Sequence, residues 1–299
     1  MKKIVVLGVN FSNEQKARLK KLGDVKSYDS PSSSEKFIKF AKGADVVASD
    51  GSFLLENLSK LKNVFVTYPY IELGLFDSEK LRKNGVLVAN TQGSNRDSII
   101  EWVIFMTIAL FRKFPQVLRT KDEFDFELKE SLNGKKALIV GAGSIGTKLG
   151  DVLKVFGMKV DFFRRGENLK EKSLDAELII NCLNTSSSSK NLLDGNFFNS
   201  LKKGVYFVSF VRRHTYDLDG LIKAIDKGVV KGAAIDTDPE IPGDTQNEFY
   251  KKVLSNPKIL VTPHIAFSTK QASANSREIA LQNIEAFFSG KPKNVIDKN

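Results

Sequence analysis

Along the first 92 positions apolar residues gather in short β-rich runs, KIVVLGV, ADVVASD, VFVTY and GVLVAN. Between them lie amphipathic stretches that predict a helix from about Asn13 to Leu22 and a helical piece around Leu54 to Leu61. Strand and helix alternating at this spacing predict a parallel sheet with helices on its faces. The segment TQGSNRDSIIEWVIFMTIALFRKF then changes character. Ser94 and Asn95 stand where an N-cap belongs, and the next 18 or so residues are apolar on most faces. A helix of that kind is buried on several sides, which predicts a link between two domains with part of its surface packed on another subunit.

From Lys135 a second alternation begins. KALIVGAG, KVDFF, AELIINCL, GVYFVSFV, VKGAAIDT and KILVTPH read as strands, with helical patterns such as IGTKLGDVLKVFG and DLDGLIKAIDKG between them. Six strands in that order predict a doubly wound dinucleotide-binding sheet. The serine run TSSSS at 185–189 follows a strand and is too short for a linker, so it reads as a loop at a strand's carboxyl end. After His264 a polar, alanine-containing helix, TKQASANSREIALQNIEAFFSG, is long enough to return to the first unit.

Composition narrows the classes. The 299 residues, 41% of them hydrophobic, supply material for buried cores. No apolar run approaches the roughly 20 residues of a membrane span, and MKKIVVLGVNFSNEQ reads as a first strand, not a signal segment. A single cysteine, Cys182, leaves no internal disulfide and no multi-cysteine zinc site, and fits a reducing, cytoplasmic setting. The net charge of +11 favours anionic ligands. The lysines are scattered in ones and twos, without the dense basic run of a nucleic-acid groove, so neither nucleic acid nor membrane is an expected partner.

Candidate chemistry starts at GAGSIG. Gly141, Gly143 and Gly146 have the spacing in which the first glycine permits a tight turn, the second admits a pyrophosphate close to the backbone and the third lets helix pack on strand. The first turn, Ser144, Ile145 and Gly146, then offers unpaired N–H groups to a diphosphate. Eighteen residues beyond Gly146, where an NAD site places an acid for the ribose 2′-hydroxyl, stand Arg164 and Arg165. Two guanidiniums there suit a 2′-phosphate, so NADP(H) is the expected cofactor, with NAD(H) as the other possibility. Of the two histidines, His264 follows an apolar strand in VTPHIA and is the candidate acid/base. Arg212, after GVYFVSFV, is a cation at the same sheet edge, suited to a carboxylate.

The runs GAGSIGTKLGDVLKVFGMKV, LKKGVYFVSFVRRHTYDLDGLIKAIDKGVVKGAAIDTDPEIP and VTPHIAFSTKQA resemble the D-isomer-specific 2-hydroxyacid dehydrogenase family, which includes glyoxylate/hydroxypyruvate reductases and phosphoglycerate dehydrogenases. GVLVANTQGSNRDSIIEW is similar to the segment leading into that family's interdomain helix. The resemblance implies an α/β protein of two doubly wound parallel-sheet domains. A Rossmann NAD(P)-binding domain, residues 93–270, would be inserted in a flavodoxin-like substrate domain, residues 1–92 and 271–299, with the active site in the cleft. It also implies a homodimer packed through the cofactor domain, and a small 2-oxo or 2-hydroxy acid as substrate. Arg212 matches the family arginine that binds the substrate's carboxylate and carbonyl, His264 the proton donor and Asp236 an aspartate near the nicotinamide.

Three departures stand out. Where the family has a glutamate bonded to the histidine, this chain has Ile241, with Glu240 one residue earlier as the nearest orienting carboxylate. The family's glycine-containing turn, whose N–H groups hold the substrate carboxylate, is replaced by Tyr68, Pro69, Tyr70, Ile71 and Glu72. Proline brings no N–H, and Tyr70 becomes a candidate substrate contact. Arg213 and His214 add positive charge after Arg212, which raises the possibility of a phosphorylated substrate. Two functional classes therefore follow: a reductase of small 2-oxo acids, or a catalytically weak or inactive nucleotide-binding regulatory protein on the same scaffold.

Overall fold

The computed structural model describes residues 1–69, 77–114, 117, 128–237 and 242–296. The chain divides into two compact units, residues 1–95 with 269–299, and residues 96–268. The first is therefore discontinuous in sequence and the second is inserted in it.

In the first unit five strands, β1 (Lys3–Leu7), β2 (Asp24–Tyr28), β3 (Val46–Ser49), β4 (Val64–Thr67) and β5 (Val86–Ala89), form one sheet in the order β2-β1-β3-β4-β5. Every pairing is parallel, and this order is the flavodoxin-like doubly wound arrangement. The alternation of the sequence is visible here with three additions: β2 and the helices Ser34–Ala41 and Ser78–Lys83. β2, DVKSY, is an edge strand with four of its five residues exposed, so it carries no apolar run to announce it.

Helix Asn13–Leu22 begins at a reciprocal cap: the Ser12 hydroxyl accepts from the Gln15 amide while the Gln15 side chain accepts from the Ser12 amide. The helix Lys270–Phe288, capped by Thr269, lays Ala280, Leu281 and Ile284 into a core with Ile4, Val6 and Phe65. Burial of each large side chain there contributes roughly 1.5–3 kcal/mol. Arg18 fixes the two helices together, donating to Glu278 and Glu285 at 2.8 Å each. On the same long helix the buried Asn283 amide donates to the Asn90 carbonyl at 2.8 Å, and its carbonyl accepts from Asn294. The helix is thus held by apolar and polar contacts alike.

The second unit contains β6 (Lys136–Val140), β7 (Lys159–Phe163), β8 (Leu178–Asn181), β9 (Val205–Ser209), β10 (Val230–Asp236) and β11 (Ile259–Thr262). The order is β11-β10-β9-β8-β6-β7, again all parallel. The chain runs outward from β6 to β7 and then returns to place β8 on the other side of β6, so the strand order reverses at β6. Outside the carboxyl ends of such a reversal is where doubly wound sheets bind ligands. β8 and β9 are buried along their whole length, which explains their continuous apolar runs. Helix Arg96–Phe111 belongs to this unit and buries Val103, Leu110 and Phe111, whereas Phe105 is 61% exposed. Among the described residues no helix is long and apolar enough to cross a membrane.

Candidate functional site

The three glycines after β6 differ in what a side chain would meet. Gly141 has φ +112°, and a Cβ on it would lie 2.6 Å from the Cys182 carbonyl oxygen. On Gly146 a Cβ would sit 2.1 Å from the Gly141 carbonyl oxygen, so helix Ser144–Val155 can approach the turn only without one. At Gly143 a Cβ meets nothing within 4 Å. Gly143 is also the N-cap of that helix and supplies no side-chain bond to it, so the N–H groups of Ser144, Ile145 and Gly146 lack a side-chain cap. Open space before uncapped N–H groups at a helix N-terminus fits the diphosphate of a dinucleotide.

Arg164 and Arg165 follow β7 directly, both exposed. The Arg164 guanidinium lies 5.5 Å from the Phe162 ring centre, and its amide donates to the Glu167 carboxylate at 2.5 Å. Glu167 is also 3.4 Å from the Lys172 ammonium. Arg165 donates from Nη2 to the hydroxyl of Ser188, in the serine loop that follows β8. That loop is a single 3₁₀ turn, Ser187–Ser189, in which Ser189 donates to the carbonyls of Asn184 and Ser186.

Arg212 follows β9, half-buried, at a short 3₁₀ turn, Arg213–Thr215. Its carbonyl accepts from the Thr215 amide at 3.1 Å and from the Thr215 hydroxyl at 2.9 Å. The buried Asn181, at the end of β8, donates to the Thr215 hydroxyl at 2.9 Å and to Ser209 at 3.3 Å. A desolvated polar network thus sets the backbone from which Arg212 projects. The next two side chains correct the expectation that they present charge to a phosphorylated substrate. Arg213 is stacked over the Phe249 ring at 4.2 Å, and His214 Nε2 lies 2.8 Å from the Ser186 carbonyl oxygen. Both are engaged within the second unit, one by cation–π attraction and one by the serine loop.

Asp236 ends β10, opposite Thr262 of β11, and is 3% exposed. Its Oδ1 accepts from the Thr262 hydroxyl at 2.5 Å and from the Ile265 amide at 2.9 Å, and its Oδ2 from the Ala266 amide at 2.8 Å. Burial pushes this carboxyl above its ordinary range, against the pull of those three donors and of the adjacent His264. The residue expected beside a nicotinamide therefore directs both oxygens into the turn that carries the histidine. His264 itself is half-buried, has φ +59° and packs edge-on to Phe267 at 5.3 Å. Histidine is among the residues that adopt this left-handed region most readily, though it is uncommon for any of them.

Gly141, Arg164, Ser188, Arg212, Asp236 and His264 thus all stand at the carboxyl ends of one parallel sheet. Residues 104–266 match the D-isomer specific 2-hydroxyacid dehydrogenase NAD binding domain. The chain belongs to this family.

Its relatives agree. The D-lactate dehydrogenase of Staphylococcus epidermidis is 26% identical over 226 residues, 67% of this chain and 68% of that one. In structure, a D-lactate dehydrogenase from Treponema pallidum superposes with a TM-score of 0.79 at 22% identity, covering 98% of this chain and 99% of that one. An acyclic imino acid reductase in complex with NADPH and D-Arg gives 0.83 at 18% identity, again covering 98% and 99%. As a member of the 2-hydroxyacid dehydrogenases the chain is a hydride-transfer oxidoreductase with an NAD-binding Rossmann domain and two parallel-sheet α/β units.

Within that frame Glu240, Ile241, Tyr70, Ile71 and Glu72 lie outside the described residues. Reading the sequence alone missed Ser188, Thr262 and Trp102. Thr262 carries a local signal, since it stands two residues before His264 in VTPH and ends an apolar strand.

Proposed function

We propose that the protein is an NADP(H)-dependent reductase of small 2-oxo acids such as glyoxylate, hydroxypyruvate or pyruvate. The observation that carries this reading is the pair of exposed arginines at the end of β7, one of them tied to Ser188, on the same sheet edge as His264. Two guanidiniums and a hydroxyl match the charge and hydrogen-bonding needs of a ribose 2′-phosphate. Glu167, three residues after Arg164, is turned onto the Arg164 amide and Lys172.

When bound, the dinucleotide supplies the hydride that reduces the carbonyl carbon. Arg212 binds the carboxylate of the acid and draws electron density onto the carbonyl oxygen. His264, protonated, donates to that oxygen as negative charge develops on it. Asp236 holds the turn bearing His264, and Glu240 is the carboxylate proposed to raise the basicity of the imidazole. Tyr70 is proposed to contact the substrate from the first unit, which serves as the substrate domain. The exposed Phe105 on helix Arg96–Phe111 is proposed to pack in a homodimer, in a cytoplasmic setting.

The test is NADPH oxidation with a panel of 2-oxo acids alongside direct titration of NADPH and NADH. Turnover with at least one acid and tighter binding of NADPH are expected. Tight NADPH binding with no turnover on any acid would replace the reductase reading with that of a nucleotide-binding regulatory protein.

A further inference from the structure

His264 has a left-handed backbone, a conformation that persists in a residue with a side chain only where its surroundings hold it. The chain is clamped on both sides of it. Ahead of His264, the Thr262 carbonyl accepts from the Thr237 amide at 2.8 Å and from the Thr237 hydroxyl at 2.9 Å, and the Pro263 carbonyl accepts from Gly243 at 2.7 Å. Behind it, the Ile265 and Ala266 amides both donate to Asp236. That one carboxylate therefore holds the following side of the turn that places the imidazole.

The carboxylate is oriented in turn. Thr262 Oγ1 lies 2.5 Å from Asp236 Oδ1 and 3.1 Å from Nε1 of Trp102, on helix Arg96–Phe111. An indole N–H only donates, so the Thr262 oxygen accepts from Trp102 and its own single hydrogen goes to Asp236. The chain's one tryptophan thus adds a second constraint to a hydroxyl directed at the Asp236 carboxylate. The three groups form a one-way series of hydrogen bonds, each polarising the next.

We propose that Trp102 and Thr262, acting through Asp236, are positioning residues that hold His264 in register for proton delivery. The proposal rests on His264 being the proton donor, as argued above. It assigns Asp236 to the support of the imidazole and gives Trp102 and Thr262 roles that act through that carboxylate.

The experiment compares wild type, Thr262→Val, Thr262→Ser and Trp102→Phe in the full chain. With the best 2-oxo acid, Thr262→Val is expected to lower kcat about ten-fold or more, as a small misplacement of a reacting group does. The NADPH dissociation constant is expected to stay within about two-fold, because Thr262 lies outside the phosphate turn. Thr262→Ser, which keeps the hydroxyl, restores kcat, and Trp102→Phe lowers it in the same direction. Adding Trp102→Phe to Thr262→Val costs nothing further, since the series is already cut. Unchanged kcat in Thr262→Val, or Thr262→Ser behaving like Thr262→Val, overturns the proposal.

A second readout needs no turnover. The chain's two histidines, His214 and His264, give separate imidazole signals in NMR. Thr262→Val and Trp102→Phe are expected to move the His264 signal and speed amide exchange at Ile265 and Ala266 while leaving His214 in place. If the wild type turns over no 2-oxo acid, the reductase reading fails and this readout still decides whether Trp102 and Thr262 position His264. An unmoved His264 signal with unchanged exchange overturns it.

Discussion

Arg165 and Ser188 are joined by a 3.0 Å hydrogen bond, so the loop after β7 and the loop after β8 share one polar surface. A 2′-phosphate seated there would draw charge-assisted bonds from both arginines, each contributing roughly 1.5–3 kcal/mol. Arg164→Ala with Arg165→Ala is expected to weaken NADPH at least about a hundred-fold on that basis and to leave NADH nearly unchanged. Titrating the variant with 2′,5′-ADP and with 5′-AMP isolates the effect: only the first ligand should lose affinity.

The glycine turn allows folding and binding to be separated. A Cβ at position 143 meets nothing within 4 Å, whereas one at 146 would be 2.1 Å from the Gly141 carbonyl oxygen. Gly143→Ala should therefore melt like wild type and bind dinucleotide weakly, because the methyl occupies the space before the helix N-terminus. Gly146→Ala should lower the melting temperature as well, since helix and strand must move apart. Thermal unfolding paired with cofactor titration reads both.

His264→Ala removes the proposed proton donor without touching the phosphate turn. A fall in kcat of about a hundred- to ten-thousand-fold is expected, with the dissociation constant for NADPH unchanged. Stopped-flow turnover and equilibrium binding on one preparation check the two halves of that statement.

In the first unit, hydrogen bonds from Gln15 and then Arg18 hold the Glu278 carboxyl below its ordinary range, against partial burial. A carboxyl lowered on folding adds stability that is complete above its unfolded pKa, and the gain disappears as pH drops through the folded value. Arg18→Met should lower stability near neutral pH by roughly 1 kcal/mol, a modest figure because all three groups are about a third exposed. The gap between variant and wild type should narrow as the solution is acidified below the ordinary glutamate pKa, about 4.3. Urea midpoints across that range provide the measurement.

The parts of the site legible in the sequence are those whose chemistry is local. Gly141, Gly143 and Gly146 announce themselves by spacing, and Arg164, Arg212 and His264 by following apolar runs that could only be buried strands. What escaped depends on direction or on distance along the chain. Arg213 and His214 read as added charge because sequence does not say that one lies on Phe249 and the other on Ser186. Ser188 meets a residue 23 positions away, and Trp102 one 160 away, so neither shares a motif with its partner. β2 escaped for a third reason: an exposed edge strand needs no apolar face.

The discontinuity of the first unit bears on how the protein is made. Once Ser268 has been added, every strand of the inserted unit has been synthesised. Ile4, Val6 and Phe65, produced long before, still wait for Ala280, Leu281 and Ile284 to cover them. The first unit's core can thus be completed only after the whole insertion has been made, and the interval in which its apolar faces stay uncovered grows with the insertion's length.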